Sequence, residues 1–97
     1  MDLNLKGKVA WIAGATGTLG YSIAQGFARE GAKLAVSSRR ADAVGRVAKE
    51  LDASGRNVLG LPVDVTDEVA VRAAAKRIKD HFGSLDVLVA SMNSPAY

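Results

Sequence analysis

The 97-residue chain contains no cysteine, two prolines and few aromatic residues. Without cysteine it has neither disulfides nor thiolate metal ligands, and the composition fits a reducing, cytoplasmic setting. No stretch approaches the roughly 18 apolar residues that span a membrane. The opening Met1-Asp2-Leu3-Asn4-Leu5-Lys6-Gly7-Lys8 lacks the apolar core of a signal peptide. The net charge of +3 is spread along the chain without a basic run. With aromatics scarce as well, a nucleic-acid partner is not expected. His81, the one histidine, falls in the last turn of a helical pattern and reads as a helix-end cation; no metal site is expected. A chain this short forms one domain at most, with one thin core.

What is present alternates between two patterns. Val9-Ala-Trp-Ile-Ala13 is continuously apolar, as a strand covered on both faces should be. Trp11 within it reads as core. Leu19 to Glu30 follows, with Ile23, Ala24, Phe27 and Ala28 on one helical face, and Gly31 ends it. Leu34 to Ser37 reads as a second strand and Ala41 to Ala53 as a second helix, closed by Ser54-Gly55. Asn57 to Val63 reads as a third strand. Pro62 has no N–H for a ladder, so this strand belongs at a sheet edge. Thr66 is the expected N-cap of a third helix running to Phe82, with Asp67 and Glu68 in its first turn. Gly83 stops that helix, and Leu85 to Ala90 is the fourth strand. The order βαβαβαβ predicts an α/β fold of the Rossmann type, a parallel sheet ordered 3-2-1-4 with helices on both faces.

Gly14-Ala15-Thr16-Gly17-Thr18-Leu19-Gly20 sits at the first strand-to-helix turn. Gly14 allows a sharp turn, Gly17 lets the backbone approach a pyrophosphate, and Gly20 lets the helix pack against the sheet. The helix N-terminus offers free N–H groups and a positive dipole end to an anion. A tight turn without a ligand is the plainer alternative. The end of the second strand reads Ser37-Ser38-Arg39-Arg40, with no carboxylate to accept from a ribose 2′-OH. Arg39 with a serine hydroxyl suits a 2′-phosphate, which favours NADP over NAD; otherwise the arginines are solvated charges at a helix start. Asp64 ends the third strand. It either accepts from an adenine amino group, with the Val65 backbone flanking the ring, or caps a turn.

These landmarks together resemble the short-chain dehydrogenases/reductases. The resemblance runs from Leu5-Lys-Gly-Lys-Val9 through the glycine turn, Gly31-Ala-Lys33, Ser37-Ser-Arg39 and Asp64-Val65 to Leu85-Asp-Val-Leu-Val89. It implies NAD(P)-dependent hydride transfer between an alcohol and a ketone, and puts Ala90 beside the cofactor. Two departures stand out. The family's commonest pattern has glycine where this chain has Thr18, and its Asn-Asn-Ala-Gly segment is replaced by Ala90-Ser91-Met92-Asn93.

The family's chemistry rests on a Ser and a Tyr-x-x-x-Lys pair beyond the fourth strand. Tyr21 is followed four residues later by Gln25, and Tyr97 is the last residue, so no catalytic residue is assigned. Residues 1–97 therefore read as the dinucleotide-binding half of such an enzyme, inactive alone. A non-catalytic binding or self-associating module, or a truncated product without activity, is the alternative. The fourth strand would be a bare apolar edge, and with the helix-3 face it is expected to pair with another copy or a complementary chain, unless the chain is a piece of a longer protein.

Overall fold

The alternating pattern resolves, in a computed structural model describing residues 5–15, 17–52 and 57–90, into seven elements. They are β1 (Val9–Ala13), α1 (Thr18–Arg29), β2 (Lys33–Ser38), α2 (Ala41–Leu51), β3 (Val58–Pro62), α3 (Glu68–Phe82) and β4 (Val87–Ala90). The strands form one parallel sheet in the order β3-β2-β1-β4, as the alternation predicts. Pro62, at the end of edge strand β3, pairs with Ser38. Ser54-Gly55, the expected close of the second helix, lies outside the described residues.

Burial follows strand parity. Every residue of β1 is buried, because β1 has a strand on each side and helices on both faces. Ala10 and Ile12 join Ala24, Leu34, Val36, Val47 and Val58 beneath α1 and α2. Val9 and Trp11 join Ala35, Leu61, Val63, Ala74 and Ile78 beneath α3. Within the second layer the Trp11 indole N–H donates to Ser37 Oγ at 2.8 Å, and both side chains are fully buried. A buried indole N–H left without an acceptor would cost about 1–3 kcal/mol. Ser37 is thus a core residue as much as Trp11 is.

The third helix begins one residue later than expected. Asp67 is its N-cap, its carboxylate accepting from the amides of Val69 at 3.0 Å and Ala70 at 3.2 Å. Thr66 turns its hydroxyl to Asp64 instead, donating to Oδ1 at 2.6 Å. Gly83 ends α3 with φ of 91°, the left-handed conformation that glycine adopts freely.

A carboxylate fastens β4 to the sheet where the strands enter. Asp86 Oδ2 accepts from the Val9 amide at 2.9 Å and from Ser84 Oγ at 3.2 Å, while the Asp86 amide donates to the Val9 carbonyl at 2.9 Å. The Val9 amide is the main reason that its carboxyl titrates below the ordinary value; Ser84 and the nearby Lys8 add to the effect, against a desolvation penalty. A depressed folded-state pKa stabilises the fold above the unfolded value, and the gain is lost as pH falls through the folded value. Asp86→Asn should therefore lower stability at neutral pH, and its deficit relative to wild type should shrink as urea titrations move below about pH 4. A deficit that does not change with pH would contradict this role for the charge.

Candidate functional site

Parallel strands deliver their carboxyl ends to one edge of the sheet, and the loops after β1, β2 and β3 gather there beside the end of β4. The chain steps outward from β1 to β2 to β3, then returns to the far side of β1 for β4. The crevice between the ends of β1 and β4 is the switch point where ligands of open α/β sheets bind. The register Ala13↔Ala90 brings Ala90 beside the residue that precedes the glycine turn.

Gly14 leaves β1 with φ of 83°, a backbone state that side chains disfavour. The turn is tied to the neighbouring strand, since the amides of Gly14 and Ala15 donate to the Ser37 carbonyl at 2.8 and 3.1 Å. Gly17, the N-cap of α1, has an ordinary extended backbone and donates to the Gly14 carbonyl at 3.3 Å. Gly20 comes so close beneath the turn that a Cβ there would press on the Gly14 carbonyl oxygen and lie 2.9 Å from its carbon. The first helical bond is from the Tyr21 amide to the Gly17 carbonyl, at 2.9 Å. Among the described residues no acceptor meets the amides of Thr18, Leu19 and Gly20, and Gly17 provides no side-chain cap. Leu19 is 66% exposed above this helix start. Thr16 lies outside the described residues. Amides that meet no acceptor among the described residues, at the start of a helix packed close against the glycine turn, suit a phosphate-bearing ligand.

The ends of β2 and β3 supply the polar groups. Ser37 is the exception among the expected site residues: its hydroxyl faces the core and accepts from Trp11, so only its carbonyl serves the site. The reason is parity, because Ser37 shares the face of Ala35, the residue in register with Trp11. Ser38 Oγ accepts from the Arg40 amide at 3.1 Å and so folds the turn into α2, while Arg39 is exposed. Asp64 is half-buried, with Oδ1 accepting from the Thr66 amide at 2.9 Å and from the Thr66 hydroxyl. The Thr66 hydroxyl and amide hold the Asp64 carboxyl below its ordinary range; the charge of Arg39 lowers it further, against a desolvation penalty. Val65, half-buried, forms the turn between them. Thr66, expected from sequence as a helix cap, and Ser38, expected at the cofactor, instead fold the two turns, and Asp64-Val65-Thr66 has the spacing of an Asx turn.

The pattern described as short chain dehydrogenase matches residues 8–93. The chain belongs to the short-chain dehydrogenase family. It is 41% identical over 86 residues to glycine betaine reductase of Emericella nidulans, covering 89% of this chain and 7% of that one. With D-threitol dehydrogenase of Mycolicibacterium smegmatis it shares 36% over 90 residues, covering 93% and 35%. Among solved structures, L-sorbose reductase of Gluconobacter frateurii complexed with NADPH and L-sorbose superposes with a TM-score of 0.89 at 34% identity, over 99% of this chain and 37% of that one. The 3-ketoacyl-(acyl-carrier-protein) reductase of Brucella melitensis complexed with NADH gives 0.79 at 37%, over 87% and 33%. This short-chain dehydrogenase sequence thus spans about a third or less of those proteins. No helix among the described residues is long and apolar enough to cross a membrane, and no cluster of metal-ligating side chains occurs among them.

Two glycines of α1 should respond oppositely to the same change. Gly20→Ala forces a methyl into the Gly14 carbonyl and should destabilise by about 1–3 kcal/mol. Gly26 has open space around a Cβ, so Gly26→Ala should stabilise the helix by about 0.5–1 kcal/mol. Urea midpoints measure both; losses of equal size would contradict the close contact at Gly20.

Proposed function

We propose that residues 1–97 form the dinucleotide-binding part of a short-chain oxidoreductase that prefers NADP(H). The observation that carries this reading is the α1 start, where three amides that meet no acceptor among the described residues stand over a glycine turn whose shape depends on a missing Cβ. Gly14, Thr16, Gly17, Thr18, Leu19 and Gly20 would hold the diphosphate there. Asp64 keeps Oδ2 for the adenine amino group, with Val65 against the ring. Ala90 flanks the nicotinamide end. A bound nicotinamide would supply or accept the hydride of an alcohol–ketone conversion. The residues of this chain bind and orient it, and no proton-transferring group is assigned to them.

The coenzyme preference rests on the end of β2. Solved relatives carry NADPH in one case and NADH in another, so family membership leaves that choice to local chemistry. No acid stands where a 2′-OH would need one, and Arg39 is an exposed cation beside Ser38. A charge-assisted bond from Arg39 is worth about ten- to hundredfold in affinity. Arg39→Ala should weaken NADPH by that factor and NADH hardly at all, as read by nucleotide fluorescence titration. Equal losses would remove the basis for the preference.

A second role is supported by β4. It pairs with β1 alone among the described strands, and Leu88, which shares the Trp11 face by register, is 59% exposed. An apolar strand edge of this kind recruits another segment, supplied here by a second copy or a complementary chain. Sedimentation of the purified chain at micromolar concentration should give a dimer or larger species; a clean monomer would contradict this role.

A further inference from the structure

Arg39 and Asp64 leave the sheet as neighbours. The Val63 amide donates to the Ser38 carbonyl at 2.8 Å, so the next residue of each strand emerges beside the other. Opposite charges in that position invite an ion pair, and the charge of Arg39 is felt at Asp64. The pair is nevertheless not formed: the ion pairs among the described residues are Arg72–Glu68 and Lys76–Asp80. Thr66 holds the carboxylate instead, with two hydrogen bonds of 2.6 and 2.9 Å to the same oxygen. It is also the residue whose hydroxyl leaves the helix cap to Asp67.

We propose that Thr66 sets the coenzyme preference of the site by restraining Asp64, so that the Arg39 guanidinium stays available to a 2′-phosphate. This rests on the dinucleotide reading above. Without the Thr66 hydroxyl, the carboxylate can rotate toward the neighbouring guanidinium and neutralise it. An exposed ion pair is weak in absolute terms. It matters here because it competes with the 2′-phosphate for the same charge. NADH has no group that needs Arg39, so the competition touches NADPH alone. Thr66 acts through Asp64 and Arg39 and is a positioning residue.

The test is equilibrium binding of NADPH and NADH to the 97-residue chain and its variants. Thr66→Val should raise the NADPH dissociation constant about two- to fivefold relative to that of NADH, the size of an exposed ion pair. Thr66→Ser, which keeps the hydroxyl, should restore the wild-type ratio. In an Asp64→Asn background the same Thr66→Val change should leave the ratio unmoved, because no anion remains to restrain. Thr66→Ala carries the same expectation as Thr66→Val should valine not be accommodated. Equal weakening of both dinucleotides, or a ratio that moves just as far in the Asp64→Asn background, overturns the proposal. If Arg39→Ala lowers NADPH affinity selectively while the Thr66 variants leave the ratio unchanged, the proposal fails and the dinucleotide reading stands. If the wild-type chain binds neither dinucleotide, both fall together.

Discussion

The contact of Gly20 with the Gly14 carbonyl is the constraint on which the rest of the site depends. It sets how near α1 comes to the end of β1, and it leaves no volume for a side chain between them. The positive φ of Gly14 turns the chain sharply enough for that approach, and the Ser37 carbonyl fixes the turn against β2. The amides of Thr18, Leu19 and Gly20 are then left at the mouth of a crevice with no acceptor among the described residues. A helix with a serine or aspartate N-cap would satisfy its own first turn. This one ends in glycine and keeps its positive end for something else.

Around that turn, the core and the site share residues. β1 lies at the centre of the sheet, so its apolar side chains form both layers, while its last residue leads into the glycine turn. Trp11 and Ser37 join the two central strands beneath α3, and the same Ser37 offers its carbonyl to the turn above. Asp86 fastens β4 at the opposite end of the sheet, which fixes the register that brings Ala90 to Ala13. The polar contacts that hold the sheet together thus also align the strand ends.

Much of this was legible in the residues themselves. A strand buried on both faces writes itself as an unbroken apolar run, which made β1 plain; β4 carries the same kind of run although its residues are half-buried or exposed, and Pro62 assigned β3 to an edge. Helix faces followed from three- and four-residue spacing. What could not be read was competition between adjacent, similar residues. Thr66 and Asp67 are both good caps, and the choice between them is decided by Asp64, which claims the threonine hydroxyl. Ser37 and Ser38 are identical in type, and strand parity with Ala35 and Trp11 decides which faces inward. The unmet need of the Trp11 indole for an acceptor was the one available clue. Asp86 was hidden inside an apolar segment, where its charge was the signal and its partner was a backbone amide 77 residues earlier.

The most direct measurement is an amide NMR titration of the isotopically labelled chain with NADPH. The Thr18, Leu19 and Gly20 resonances should move first and furthest, as expected for N–H groups that gain an anionic acceptor, while the Val9 and Asp86 amides at the far end of the sheet stay in place. Shifts centred elsewhere, or an α1 start that does not respond at saturating nucleotide, would contradict the account.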